Sequence, residues 1–208
     1  MTNKLKYFIG NWKMFGDFGS FKIIKAINKF SQTAKNISKN NKIILCVPNT
    51  LIYFFKKKLK SRFILLGAQN CQHYEDSGPF TGSVSAGMLK KSGATYVILG
   101  HSENRLEGET DQLIKKKIKS ALNKKLNIIF CIGENLKEKK NHKTFAVLRK
   151  QIKNSLDKKY NLNKIILAYE PTWSIGTNRI PKIHELKKII RFIKNNFQKK
   201  FRTKKIPK

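Results

Sequence analysis

Residues 164–177 read KIILAYEPTWSIGT: a continuous apolar run, then at once a carboxylate, a proline and a string of small polar residues. A run without polar alternation suits a strand covered on both faces, as in a parallel sheet. Five more stretches have the same character, at Tyr7–Lys13, Lys42–Pro48, Phe63–Asn70, Tyr96–Glu103 and Asn127–Glu134. Their cores are β-branched and bulky, as in IILCV, FILLGAQ, YVILG and IIFCIG. Between them, apolar residues recur every three or four positions with lysines interspersed, over Phe21–Phe30, Leu113–Leu122, Phe145–Leu156 and Ile183–Phe197, which predicts amphipathic helices. Gly93 suits the end of a short helix before the Tyr96 strand. Strand alternating with helix implies right-handed βαβ crossovers and an α/β fold.

No strand is followed by G-x-G-x-x-G, so the dinucleotide-binding fingerprint is absent. Instead, five of the six runs open directly into GNWK, AQN, GHSEN, GEN and EPT. In a TIM (β/α)8 barrel the carboxyl ends of all strands face one mouth, where such residues would meet. Six units in 208 residues is about 35 residues each, whereas eight need roughly 250. The chain is therefore expected to hold the first six βα units of such a barrel as one domain over 1–208, incomplete at its C-terminus. The tail FRTKKIPK, 201–208, is expected to approach a seventh strand, and two unpaired apolar edges would be an aggregation hazard.

Composition narrows the function less. A hydrophobic content of 40% supports one sizeable core, and no run of eighteen apolar residues suggests a membrane span. The N-terminus lacks the pattern of a secretory signal, so a cytoplasmic protein is expected. Cys46, Cys71 and Cys131 form no CxxC pair and sit in or just beyond apolar runs, which reads as buried free thiols in a reducing compartment. Neither a metal nor an organic cofactor is expected. The net charge of +33 could attract nucleic acid, anionic membrane or phosphorylated small molecules. Lysine outnumbers arginine about six to one and is spread through every polar stretch, which argues for solvated helix faces and against a specific nucleic-acid surface.

Five blocks make a specific resemblance. They are Gly10-Asn11-Trp12-Lys13-Met14, Ala68-Gln69-Asn70, Gly100-His101-Ser102-Glu103, Cys131-Ile132-Gly133-Glu134 and Ala168-Tyr169-Glu170-Pro171-Thr172-Trp173-Ser174-Ile175-Gly176-Thr177. In this order, each at a strand end, they resemble the signature blocks of the triosephosphate isomerase family. The resemblance implies a glycolytic and gluconeogenic isomerase that moves a proton between adjacent carbons of a triose phosphate through an enediolate. It further implies Glu170 as the carbon base, His101 as the electrophile and Lys13 as the fixed positive charge. Asn11 would place Lys13 and a substrate oxygen, and Glu103 would hold the lysine. The run Pro171, Thr172, Trp173, Ser174, Ile175, Gly176 and Thr177 would be a mobile lid, with the Gly176 N–H binding phosphate. Thr81 would contact a partner subunit in a homodimer.

The chain departs from the pattern where Ser83 and Asn104 replace an intersubunit ion pair, and where Asn178 replaces a glycine at the second lid hinge. The family's phosphate-binding loops after strands seven and eight have no counterpart in these 208 residues, so the chain alone is expected to be poorly soluble and nearly inactive. Two alternatives stand beside the isomerase: a non-catalytic remnant of it, and a basic nucleic-acid-binding protein.

Overall fold

The computed structural model describes residues 6–33, 41–61 and 63–201. Six strands form one sheet in sequence order: β1 (Lys6–Asn11), β2 (Asn41–Cys46), β3 (Ile64–Ala68), β4 (Tyr96–Leu99), β5 (Asn127–Ile132) and β6 (Ile165–Tyr169). Every neighbouring pair is parallel, with Ile9 opposite Ile44, Ile98 opposite Ile129 and Phe130 opposite Leu167. The connecting helices are α1 (Phe21–Thr33), α2 (Asn49–Lys58), α3 (Ala86–Lys91), α4 (Ser102–Leu106), α5 (Asp111–Asn123), α6 (Leu136–Lys140), α7 (Thr144–Ser155) and α8 (Ile183–Phe201). This is the α/β architecture of the first six units of a TIM barrel. None of the described helices is long and apolar enough to cross a membrane.

The two faces of the sheet explain why the strand sequences lack alternation. One face carries Ile44, Cys46, Tyr96, Ile98, Ile129, Cys131 and Ile166, which pack on one another inside the curl. The intervening residues, among them Leu45, Val97, Leu99, Ile128 and Phe130, pack outward against helix residues such as Ile52, Phe55, Ile114, Ile118 and Leu148. A strand buried on both sides has no position where a polar side chain is tolerated. All three cysteines are free and buried within this packing. Among the described residues β1 and β6 each pair on one side only.

The strands stop two to four residues before the apolar runs do. β4 ends at Leu99 because Gly100 turns the chain at φ +72° and His101 caps α4. β1 ends at Asn11, so Lys13 does not close the strand as its sequence position suggests; it stands two residues beyond, in a left-handed turn at φ 53°. Gly93 lies just beyond α3 at φ +104°, where a glycine is favoured. Helices α2, α4 and α6 were not expected, although Asn135 and Glu138 form a reciprocal capping box whose N-x-x-E spacing marks the start of α6. The helical pattern expected over Ile183–Phe197 continues to Phe201. Of the tail 201–208 expected to approach a seventh strand, Phe201 instead closes α8, and 202–208 lie outside the described residues.

Candidate active site

The strand ends bring Asn11, Lys13, His101, Tyr169, Glu170 and Ile175 around one hollow of about 470 Å3. A larger hollow of about 1010 Å3 lies elsewhere and contains none of these residues; the chemistry of the lining, and not its size, selects the site.

His101 is buried at the N-cap of α4, and the Glu103 backbone N–H donates to its Nδ1 at 3.3 Å. A nitrogen that accepts cannot carry the proton, so the ring proton belongs on Nε2. Nε2 lies 3.5 Å from Glu170 Oε2. That carboxylate oxygen is buried and has no hydrogen-bond partner, although the Glu170 side chain as a whole is 35% exposed. An unpartnered oxygen in a concave site is free to accept a proton from a bound molecule. The Cys131 thiol lies against Glu170 from β5. Burial first, then the Glu170 carboxylate, push its pKa well above the ordinary thiol value, so it presents an S–H and not a second negative charge.

Lys13 is aimed by its backbone. Its N–H donates to Asn11 Oδ1 at 2.9 Å, which stabilises the left-handed turn, and Gln69 Nε2 donates to the Lys13 carbonyl at 2.7 Å and the Cys46 carbonyl at 3.1 Å. The Lys13 ammonium then reaches Glu103 Oε1 at 2.6 Å. That hydrogen bond is the main reason the Glu103 carboxyl lies below its usual pKa. Glu103 therefore holds both Lys13, through its side chain, and the His101 ring, through its backbone.

The segment after β6 is anchored at one point. Thr172 donates through its N–H and its hydroxyl to the Glu134 carbonyl, at 3.0 and 3.2 Å. Trp173 Nε1 donates to Glu134 Oε1 at 2.9 Å, and the Tyr169 hydroxyl donates to the same carboxylate at 3.1 Å. Thr177 Oγ1 donates to the Trp173 carbonyl at 2.7 Å, and Ser174 Oγ to the Arg179 carbonyl at 2.6 Å. Pro171 precedes a single 3-10 turn over Thr172–Ser174. Gly176 stands in open space at φ +68° and Asn178 at φ 54°, so the asparagine adopts the left-handed backbone that a hinge glycine would. Thr81 lies on an exposed turn before Gly82, away from the hollow.

Sequence reasoning placed Lys13, His101, Glu103, Asn11 and Glu170 at strand ends, and the structure brings all five together. It missed the roles of Gln69, Glu134 and Gln151. Gln69 and Glu134 fall within strand-end blocks, which is a usable signal. Gln151 sits inside α7 with no local signal, yet its amide clamps Gly133 on both sides, accepting from the Gly133 N–H at 3.0 Å and donating to its carbonyl at 2.9 Å.

Comparison with known proteins shows the family to which the chain is similar. The family model for triosephosphate isomerase matches residues 6–207. The triosephosphate isomerase of Bartonella tribocorum is 38% identical over 200 residues, covering 94% of this chain and 76% of that protein. That of Alkaliphilus metalliredigens is 39% identical over 195 residues, covering 92% of this chain and 77% of its own length. The crystal structure of triosephosphate isomerase from Bartonella henselae superposes with a TM-score of 0.83 at 35% identity, over 94% of this chain and 76% of that one. The chain belongs to the triosephosphate isomerase family.

Proposed function

We propose that this site interconverts dihydroxyacetone phosphate and D-glyceraldehyde 3-phosphate, the isomerisation for which its relatives are named, as a step of glycolysis and gluconeogenesis. The observation that supports it most is the facing pair of Glu170 Oε2, buried and unpartnered, and His101 Nε2, 3.5 Å away with its proton fixed by the bond at Nδ1. Glu170 takes a proton from the carbon next to the carbonyl, leaving an enediolate. The Nε2–H of His101 and the Lys13 ammonium stabilise the negative oxygen, and His101 passes a proton between the two oxygens. Glu170 then returns its proton to the neighbouring carbon, so neither a cofactor nor a metal takes part.

The run Pro171–Thr177 acts as the lid, with the open backbone at Gly176 offering its N–H to the substrate phosphate. Asn11 and Glu103 position Lys13. A homodimer would cover Met14 and Phe15, 94% and 74% exposed beside the site, and would engage Thr81. A cytoplasmic setting fits three buried, unpaired thiols.

The test is a coupled assay in both directions on the protein, Glu170→Gln and His101→Gln. Each variant should lower kcat about 10²- to 10⁴-fold while the folded spectrum is kept. Isomerisation that survives Glu170→Gln unchanged would refute the assignment.

A further inference from the structure

The hollow of about 1010 Å3 lies between α5, α7 and α8, remote from the catalytic candidates in its lining, and is more than twice the volume of the active-site hollow. Its wall carries six cations, Lys115, Arg149, Lys153, Lys158, Lys199 and Lys200, against one carboxylate, Asp157. Two of these cations are already engaged. Lys115 Nζ lies 3.3 Å from Asp157 Oδ2, and Lys200 Nζ donates to the carbonyls of Ile152, Lys153 and Leu156 at the end of α7, at 3.2, 2.7 and 2.9 Å. Among the described residues, Arg149, Lys153, Lys158 and Lys199 form no ion pair.

A chain rich in lysine keeps its self-repulsion low by spreading lysines over solvated faces. Here they converge on a concavity, and Lys115, Lys153 and Lys158 stand near enough to Lys200 to act on its charge. Its ammonium lies below the ordinary pKa, first through burial, then through Lys115, with Lys153 and Lys158 adding to it against Asp157. Like charges held this way are relieved by an anion placed among them. The cations stand on α5, α7, the turn after α7 and α8, around a space of about 1010 Å3, a volume that suits an anion larger than a single phosphate. The wall also holds the Phe192 ring, with the Arg149 guanidinium 5.4 Å from its centre, beside Asn195 and Asn196.

We propose that this hollow binds a small polyphosphate anion, with its phosphates spread over Arg149, Lys153, Lys158 and Lys199. The chemistry is shared by nucleoside triphosphates and short inorganic polyphosphate chains. The inference is independent of the isomerase reading, because no residue proposed for catalysis lines the hollow.

The experiment is fluorescence anisotropy of a trace of labelled ATP titrated with protein up to about 100 μM at physiological salt, with unlabelled ATP, tripolyphosphate, inorganic phosphate and a long oligonucleotide as competitors. Lys153→Gln/Lys199→Gln should weaken binding at least about tenfold, while Lys22→Gln/Lys25→Gln on α1, which removes the same net charge, should change it less than about twofold. Thermal melts of both variants should match the parent. If the first variant melts early, Lys158→Gln on the exposed turn after α7 carries the test, with about threefold weakening expected.

Equal displacement by ATP and tripolyphosphate supports the proposal and assigns recognition to the phosphate chain. A preference for ATP that disappears in Phe192→Leu supports it and adds a seat for the base. The proposal is overturned if both double variants weaken binding alike, if no saturable binding occurs by about 100 μM protein, or if only the long oligonucleotide displaces the probe.

Discussion

Gly133→Ala should disable the site from a position that touches no substrate. A methyl carbon placed on Gly133 would stand 2.0 Å from the Glu170 carbonyl oxygen and 2.7 Å from the Glu170 carbonyl carbon, where ordinary contact begins at 3.4 Å. Both partners are backbone, so no side chain can swing aside. Gly133 is held by the two hydrogen bonds to the Gln151 amide, and Glu170 is tied to β5 by its N–H on the Ile132 carbonyl at 2.9 Å. The two backbones must therefore part by about 1.4 Å, and a misplacement of about 1 Å at a catalytic group is enough for a rate loss of the order of 10²-fold. The strain itself should cost about 1–3 kcal/mol of stability. The assay is steady-state isomerisation together with thermal unfolding. The expected signature is a protein still folded at the assay temperature, with kcat down about 100-fold and KM little changed. A variant that keeps parental kcat would show that the close approach of Gly133 to Glu170 does not hold the base, and would refute the reasoning.

Three further outcomes are expected. Glu134→Ala leaves the Tyr169 hydroxyl and the Trp173 indole N–H without their shared acceptor and should lower stability by about 2–4 kcal/mol in chemical denaturation, with Glu134→Gln milder because one oxygen remains. Burial raises the Cys46 and Cys71 thiols to about 12 and Cys131 well above its ordinary value, so the folded state favours the protonated form. All three should resist alkylation near about pH 8 and react together on unfolding, as read by intact mass, and their stabilising contribution should fade as pH rises past the ordinary thiol range of about 8.5. For Glu103, whose carboxyl is lowered chiefly by the Lys13 hydrogen bond, the sign is opposite. The pair contributes above the ordinary carboxylate range and is lost as pH falls through the lowered value; Lys13→Met should move the Glu103 titration upward in an NMR pH series.

The sequence by itself determined the kind of fold and named the candidates for the reacting groups. Continuous apolar runs such as IILAY and IIFCIG can only be satisfied by burial on both faces, and strand-end blocks carry Lys13, His101 and Glu170 whatever the details of packing. These signals are local: they depend on side-chain type and spacing along a few residues. The ends of the strands were less legible, because backbone turns such as those at Lys13 and Gly100 stop pairing while the side chains are still apolar or strand-like. What only the tertiary structure decided are contacts between segments far apart in the chain. Gln69 holding the Lys13 carbonyl, Gln151 clamping Gly133, the Gly133 backbone against that of Glu170, and six cations from α5, α7, α8 and the turn after α7 around one hollow leave no periodic trace. Each exists because parallel pairing of consecutive strands from β1 through β6 fixes their register and so sets loops and helix ends side by side, a distance that no residue encodes alone.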